Sequence, residues 1–181
     1  MIGNDPRVEV RKTHKLFVGG AFPRSESGRT YEVVNTNGEF LANVAKASRK
    51  DARDSVIAAR TGFNSWSKAT AYNRGQVLYR IAEVMEGRKD QFASDIQDAE
   101  GTSKKKATAQ TDQAIDRVVW YAGWADKYAQ VLGNTNPVSG PFFNFSIPEP
   151  TGVVAAVAPQ DSSLLGLVSV IAPIVTSGNS V

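Results

Sequence analysis

The run GPFFNFSIPEPTGVVAAVAPQDSSLLGLVSVIAPIVTSGNSV, residues 140–181, decides how the chain is read. Residues 142–147 alternate well enough for a strand, and Pro148 and Pro150 end it because proline cannot donate to a ladder. Residues 152–158, GVVAAVA, are small and β-branched without polar interruption, the mark of a strand buried on both faces. A turn follows over residues 159–163. Residues 164–175 are apolar and of helical length, with Ser162 or Ser163 in position to cap them. A second turn covers 176–179, and Val181 would open another strand. Strand, turn, helix, turn, strand is the repeating unit of a doubly wound parallel sheet.

That unit is unfinished. Leu164, Leu165, Leu167, Val168, Val170, Ile171 and Ile174 point around most of their helix, and such a helix is usually buried on several sides. The strand before it expects neighbours on both faces and both edges. One strand and one helix cannot cover each other, so the natural protein is expected to continue past Val181 or to be covered by another chain.

Upstream, residues 133–141 carry Gly133, Pro137, Gly140 and Pro141, which break helical structure. Four helices are predicted before them. The longest spans about 105–131, with Ala107, Ala114, Ile115, Val118, Tyr121, Ala122 and Ala125 on one broad face. Trp120 and Trp124, four apart, lie along a neighbouring strip, suited to packing or to an aromatic platform. A shorter helix runs to about 99 with Phe92, Ala93 and Ile96 inward, and Gly101 marks its stop. A helix capped by Thr70 runs to about 86, with Val77, Leu78, Ile81, Val84 and Met85 as its stripe. The first helix starts at Ser48, with Asp51 three residues on completing a capping box. Its inward face is Ala52, Val56, Ala59 and Phe63. Residues 31–34 and 40–44 are short strands around an Asn37-Gly38 turn. Residues 16–22 hold a Gly-Gly hairpin turn, and residues 1–13, with Pro6, form a loose polar arm.

Composition narrows the chemistry. The 181 residues contain 21 basic and 18 acidic side chains for a net charge of +3, ordinary for a globular protein and too even for a nucleic-acid stripe. The one tight basic run is Lys104, Lys105 and Lys106, a solvated helix start or a phosphate contact. No nucleic-acid partner is expected. The chain has no cysteine, so it holds no disulfide, thiolate metal site or thiol nucleophile. His14, its single histidine, sits in a charged stretch and reads as a surface residue. No metal site is expected. No stretch of spanning length is apolar, so no membrane association is expected and the default location is cytoplasmic.

Several segments resemble the aldehyde dehydrogenase superfamily. The stretch GPFFNFSIPEPTGVVAAVAP, residues 140–159, is similar to the family's oligomerisation strand running into its first cofactor-binding strand. YAGWADKY at 121–128 resembles its long helix, and RGQVLYRIAEVME at 74–86 an earlier one. APIVTSGNSV at 172–181 resembles the helix exit before the second cofactor-binding strand. The likeness runs from about residue 15 to the end.

The resemblance implies an α/β fold in which N-terminal strands and helices lead into a Rossmann-like parallel sheet that is incomplete in this chain. It divides the chain into an arm at 1–15, the strands and helices of a cofactor-binding domain at 16–132, an oligomerisation segment at 133–150, and the first strand-turn-helix of the nucleotide sheet at 151–181. It implies NAD or NADP as cofactor and an aldehyde as substrate in a complete enzyme. It also implies assembly with like or related aldehyde dehydrogenase-like chains. In such enzymes a cysteine thiolate attacks the carbonyl, hydride leaves to the nicotinamide, and a glutamate-activated water hydrolyses the thioester. The resemblance places the cysteine and glutamate beyond residue 181. Ala158, Pro159, Gln160 and Asp161 would form the first wall of the cofactor site. The family usually has Pro-Trp-Asn where this chain has Pro159, Gln160 and Asp161, and the asparagine donates to the oxyanion. A carboxylate cannot donate, and loss of one such donor costs about 2.7–4 kcal/mol of transition-state stabilisation. Two functions remain open: an aldehyde-oxidising enzyme of which this chain is a portion inactive alone, or a pseudoenzyme that partners an active chain. Asp161 can equally cap the helix after it.

Overall fold

The computed structural model describes residues 11–181. The expected arm therefore lies largely outside the described residues. Its end is structured: Thr13–His14 (β1) pairs in parallel with Phe40–Ala45 (β3), which pairs antiparallel on its other side with Thr30–Val34 (β2). The Gly-Gly hairpin forms as a tight turn. Val18 bridges Ala21, and Gly19 and Gly20 both take positive φ, 59° and 79°, as a two-residue hairpin turn requires.

The first helix, Arg49–Trp66 (α1), begins at the predicted box. The Ser48 hydroxyl accepts from the Asp51 amide, and the Asp51 carboxylate accepts from the Ser48 amide at 2.8 Å. That carboxylate also accepts from the Ser25 hydroxyl at 2.7 Å and the Glu26 amide at 3.2 Å, which ties the preceding loop to the helix. The face agrees with the prediction in part. Ala59 and Phe63 are half-buried, but Ala52 and Val56 are exposed, no α1 residue is fully buried, and Ser55, Ala58 and Trp66 join Ala59 on the side toward the other helices.

Ala71–Glu86 (α2) follows the Thr70 cap, and Lys89–Glu100 (α3) ends at Gly101. Of the predicted α2 stripe only Leu78 and Met85 are buried; Val77, Ile81 and Val84 are exposed, and Ala82 and Arg74 take their place inside. The predicted long helix is two. Lys104–Trp124 (α4) tightens at its end, where the Ala125 amide reaches back only three residues to Ala122, and Tyr128–Leu132 (α5) follows as a short turn of helix. The last helix is Ser163–Thr176 (α6). The core lies where α2, α4 and α6 meet, around Leu78, Met85, Ala114, Ile115 and Val118, with α3 packed on α4 through Ala93, Ile96 and Ala107.

The segment between α5 and α6 is thinner than predicted. Only Phe145–Ser146 (β5) of residues 142–147 pairs, antiparallel to Asn134–Thr135 (β4), a strand too short to announce itself in sequence. Residues 152–158 run as a chain with one bridge, Val153 in parallel with Ser180, and not as a strand covered on both faces. Val157 is 93% exposed. That bridge carries the topological information. The Val154 amide donates to the Ser180 carbonyl at 2.8 Å and the Ser180 amide to the Gly152 carbonyl at 3.0 Å, so two parallel segments are joined through α6. This is the start of a β-α-β crossover.

Candidate functional site: the turn at the head of the last helix

The four predicted site residues stand together at the end of the first parallel segment. Ala158 is half-buried, and Pro159, Gln160 and Asp161 are exposed. Ser162 follows in the left-handed region at φ 58°, ψ 64° and gives α6 no side-chain cap bond. The turn lies against α6 at Gly166. A methyl group built there would sit 2.6 Å from Pro159 Cγ and 3.3 Å from the Asp161 carbonyl oxygen, so only glycine lets the turn approach this closely.

Neither predicted cap operates. Among the described residues the Asp161 carboxylate accepts no hydrogen bond, and the Ser162 side chain makes no cap bond to the helix. The cap comes from other helices. Glu100, the last residue of α3, accepts from the Ser163 amide at 2.8 Å and its hydroxyl at 2.7 Å. Gln110 of α4 accepts from the Leu164 amide at 3.3 Å and donates to the other Glu100 oxygen at 2.9 Å. Partial burial pushes the Glu100 carboxyl up, but the Ser163 hydroxyl and amide and the Gln110 amide outweigh it and hold the group below the usual carboxylate range.

This arrangement tests the fit of a dinucleotide. A free helix N-terminus would draw phosphate through its amides and dipole. At α6 the Ser163 and Leu164 amides are taken and the Glu100 carboxylate already sits at them, with Asp161 two residues before. The head of α6 therefore does not fit an anionic phosphate. Residues 158–161 offer an exposed wall and nothing more. Among the described residues no cluster of side chains is suited to a metal ion.

The other end of α6 is held by groups the sequence reading did not single out. Arg74 is buried; its Nε donates to the Thr176 carbonyl at 3.1 Å and its guanidinium also reaches the Ala69 carbonyl and, at 3.5 Å, the Tyr128 hydroxyl. No carboxylate pairs with it among the described residues, so its charge is met by the carbonyl end of α6. The Trp66 indole N–H donates to the Val175 carbonyl at 2.9 Å. Asn179, also buried, accepts from the Gly152 amide at 2.9 Å and the Thr151 hydroxyl at 3.2 Å, which fixes the register of the parallel bridge. A polar residue inside an amphipathic stripe, as Arg74 is, was the available signal.

Between α1, α2 and α6 lies an open apolar groove of about 610 Å³, floored by Leu78, Val168 and Val175 and rimmed by Phe17 and Val181. The basic run Lys104, Lys105 and Lys106 is exposed on the first turn of α4, and His14 is exposed on β1. Trp120 and Trp124 stack with ring centroids 5.3 Å apart, Trp120 remaining more than half exposed. No helix among the described residues is long and apolar enough to cross a membrane.

A helical layer leading into a β-α-β start, with a turn presented at the head of its helix, is the beginning of a doubly wound α/β fold. The sequence pattern of the aldehyde dehydrogenase family matches residues 22–181, and the chain belongs to that family. It is 33% identical over 181 residues to aldehyde dehydrogenase family 2 member B4, mitochondrial, of Arabidopsis thaliana, covering 98% of this chain and 33% of that protein. It is 33% identical to retinal dehydrogenase 2 of Mus musculus, covering 97% of this chain and 34% of that one. Among solved structures, the NAD+ complex of an aldehyde dehydrogenase from Bacillus cereus superposes with a TM-score of 0.87 at 27% identity, over 93% of this chain and 34% of the other. The chain thus spans about a third of the length of the relatives it matches. The expected fold class, an aldehyde dehydrogenase-like α/β framework, is the one found.

Proposed function

We propose that these residues supply the N-terminal framework and first cofactor-site wall of an NAD(P)-dependent aldehyde-oxidising fold, and that the 181-residue chain alone oxidises no aldehyde. The observation that carries the reading is the exposed turn of Pro159, Gln160 and Asp161: it stands at the carboxyl end of the first parallel segment, bearing a carboxylate, in a chain without any thiol. The nicotinamide, when bound in the complete fold, accepts the hydride. This chain's own groups position the wall: Glu100 and Gln110 hold the head of α6, and Arg74, Trp66 and Asn179 hold its exit. None of them can form the covalent adduct that retains the carbonyl. Asp161, ionised, would repel a developing oxyanion where an amide would stabilise it. The structure of the Bacillus cereus relative holds NAD+, which supports a nicotinamide cofactor for the family fold. Several relatives carry cytosolic names, which supports a cytoplasmic location.

The purified chain, mixed with a panel of aldehydes and NAD+ or NADP+, is expected to give no rise in reduced-nicotinamide absorbance. Turnover by this polypeptide would overturn the proposal.

A second reading is favoured by the surface of residues 142–147. Phe142 is 72% and Phe143 78% exposed, and Phe143 stacks on Phe145 at 5.5 Å. On this reading the segment 133–150 pairs the chain with like or related aldehyde dehydrogenase-like chains, and the protein acts as a non-catalytic partner. Size-exclusion chromatography alone and with a full-length family member tests it. Co-elution is expected; a stable monomer that takes up no partner refutes it.

A further inference from the structure

The head of α6 is built in an unusual way, and the consequence reaches the candidate site. A helix start leaves its first amides without partners inside the helix. The residue before α6 ordinarily supplies an oxygen, and Ser162 is a good residue for that role. Here Ser162 is turned into the left-handed region; its carbonyl accepts from the Gly166 amide, but its side chain supplies no oxygen. The amides of Ser163 and Leu164 are met by Glu100 and Gln110. Glu100 lies 63 residues before Ser163 in the chain. Both Glu100 oxygens are engaged, one by Ser163 and one by Gln110.

We propose that Glu100 is the positioning residue for the turn of Pro159, Gln160 and Asp161, supplying from α3 the cap that would otherwise draw Asp161 down onto the helix. The turn is fixed at two points. Below, Pro159 and the Asp161 carbonyl rest in the notch left by Gly166. At the helix start, Glu100 holds Ser163, and Gln110 braces Glu100. Asp161 sits two residues before Ser163, and an aspartate there is itself a competent acceptor for first-turn amides. With those amides already occupied, its carboxylate remains exposed and unbonded. The conformation of the wall is therefore set by the α3–α4 layer together with the Gly166 notch, and not by a cap from Asp161. This deepens the proposed function and rests on it only for what the turn does, not for what holds it.

The test uses amide hydrogen exchange and amide NMR signals of the 181-residue chain. In Glu100→Ala, exchange at Ser163 and Leu164 is expected to quicken about tenfold, as loss of a charge-assisted cap implies, and the signals of Gln160, Asp161 and Ser162 to move. Asp161→Ala alone should leave both amides within about twofold of the parent. The double variant should exchange faster than Glu100→Ala, because Asp161 becomes the substitute cap only when Glu100 is gone. Glu100→Gln keeps an acceptor toward Ser163 but turns a donor toward Gln110, so protection should return at Ser163 and not at Leu164. A Glu100→Ala variant whose turn signals stay in place, or whose protection falls evenly over the molecule, overturns the proposal. If that variant does not fold, Gln110→Leu carries the test: faster exchange confined to the head of α6 supports the proposal, and unchanged exchange there refutes it. Titration with NAD+ separates the two claims. A turn that moves in Glu100→Ala, while NAD+ never perturbs it in a chain extended to the complete family fold, would refute the cofactor-wall reading and leave Glu100's role standing.

Discussion

The helical layer of α2, α3, α4 and α6 and the segment from residue 133 to 161 are made of similar residues, yet they behave oppositely. The first closes a core, with Leu78 and Ile96 each 3% exposed and Ala114 fully covered, although Val77, Ile81 and Val84 stay outside it. The second displays its apolar side chains. Phe142, Phe143, Ile147 and Val157 face outward, and the segment is held by a two-residue ladder and one parallel bridge. Hydrophobicity is a property of composition, but burial needs a partner surface. Helices separated by short turns find that surface in one another, while a strand meant for the middle of a sheet finds it only in other strands. The helical layer is thus a packed platform, and the segment beyond it leaves its apolar side chains exposed.

The contrast is broken most severely from inside the platform. Leu78→Ala empties the contact among α2, α4 and α6 and should cost about 2–5 kcal/mol in denaturant unfolding. A cost under about 1 kcal/mol would mean that α2 is not part of a packed core. Arg74→Met should come next. It leaves the Thr176 and Ala69 carbonyls short of a donor, at about 1–3 kcal/mol each where no water replaces it. Arg74→Lys should recover only part, because an ammonium cannot reproduce the guanidinium fork. Recovery to parental stability would show that charge at the α6 exit, and not the fork geometry, is what matters.

How much of this was legible depended on the range of the interaction. The Ser48–Asp51 box, the Thr70 cap and the Gly101 stop were readable because each is decided within four residues. The parallel relation of residues 152–154 to 179–181 followed from the strand-turn-helix pattern. Three features were not fully readable. The α4 break at Ala125 hides under an apolar spacing that continues through Trp120, Trp124 and Tyr128 as if the helix were whole. The face of α1 was read only in part: Ala59 meets the groove as expected, but Val56 looks like a core residue and is exposed, while Ser55 and Ala58 share the groove side. The cap of α6 was assigned to its nearest serines, since no local pattern announces a glutamate 63 residues upstream. At the site, the turn after residue 158 was legible from Pro159 and the polar residues behind it, but the contacts that hold it were invisible to spacing.

A smaller effect sharpens the comparison through pH. The Ser48 amide, the Ser25 hydroxyl and the Glu26 amide hold the Asp51 carboxyl down from its ordinary 3.8 to about 2. A depressed carboxyl favours the folded state while it is ionised. Its contribution is therefore present in full above about pH 4 and is lost as pH falls toward 2. Solvent screens the group, so the effect is modest. Asp51→Asn should remove the part of the acid-limb slope that arises there. Unfolding midpoints of parent and variant should converge at the acid end, and a constant gap across the range would place the effect elsewhere.

The smallest effect on stability belongs to the open segment, and it is the most informative about function. Phe143→Ser replaces a side chain that is 78% exposed, so the isolated chain should change by no more than about 0.5 kcal/mol. If residues 142–147 meet another chain, the same substitution should raise the dissociation constant of that assembly at least tenfold, because aromatic side chains in covered patches carry a large share of binding energy. The two measurements must be made on the same preparation: denaturant unfolding at low concentration and sedimentation across a concentration series. An unchanged unfolding midpoint with weakened self- or cross-association makes the segment an interface. A fall in stability without any change in association would mean instead that Phe143 packs onto its own chain, and the contrast between packed platform and open segment would fail.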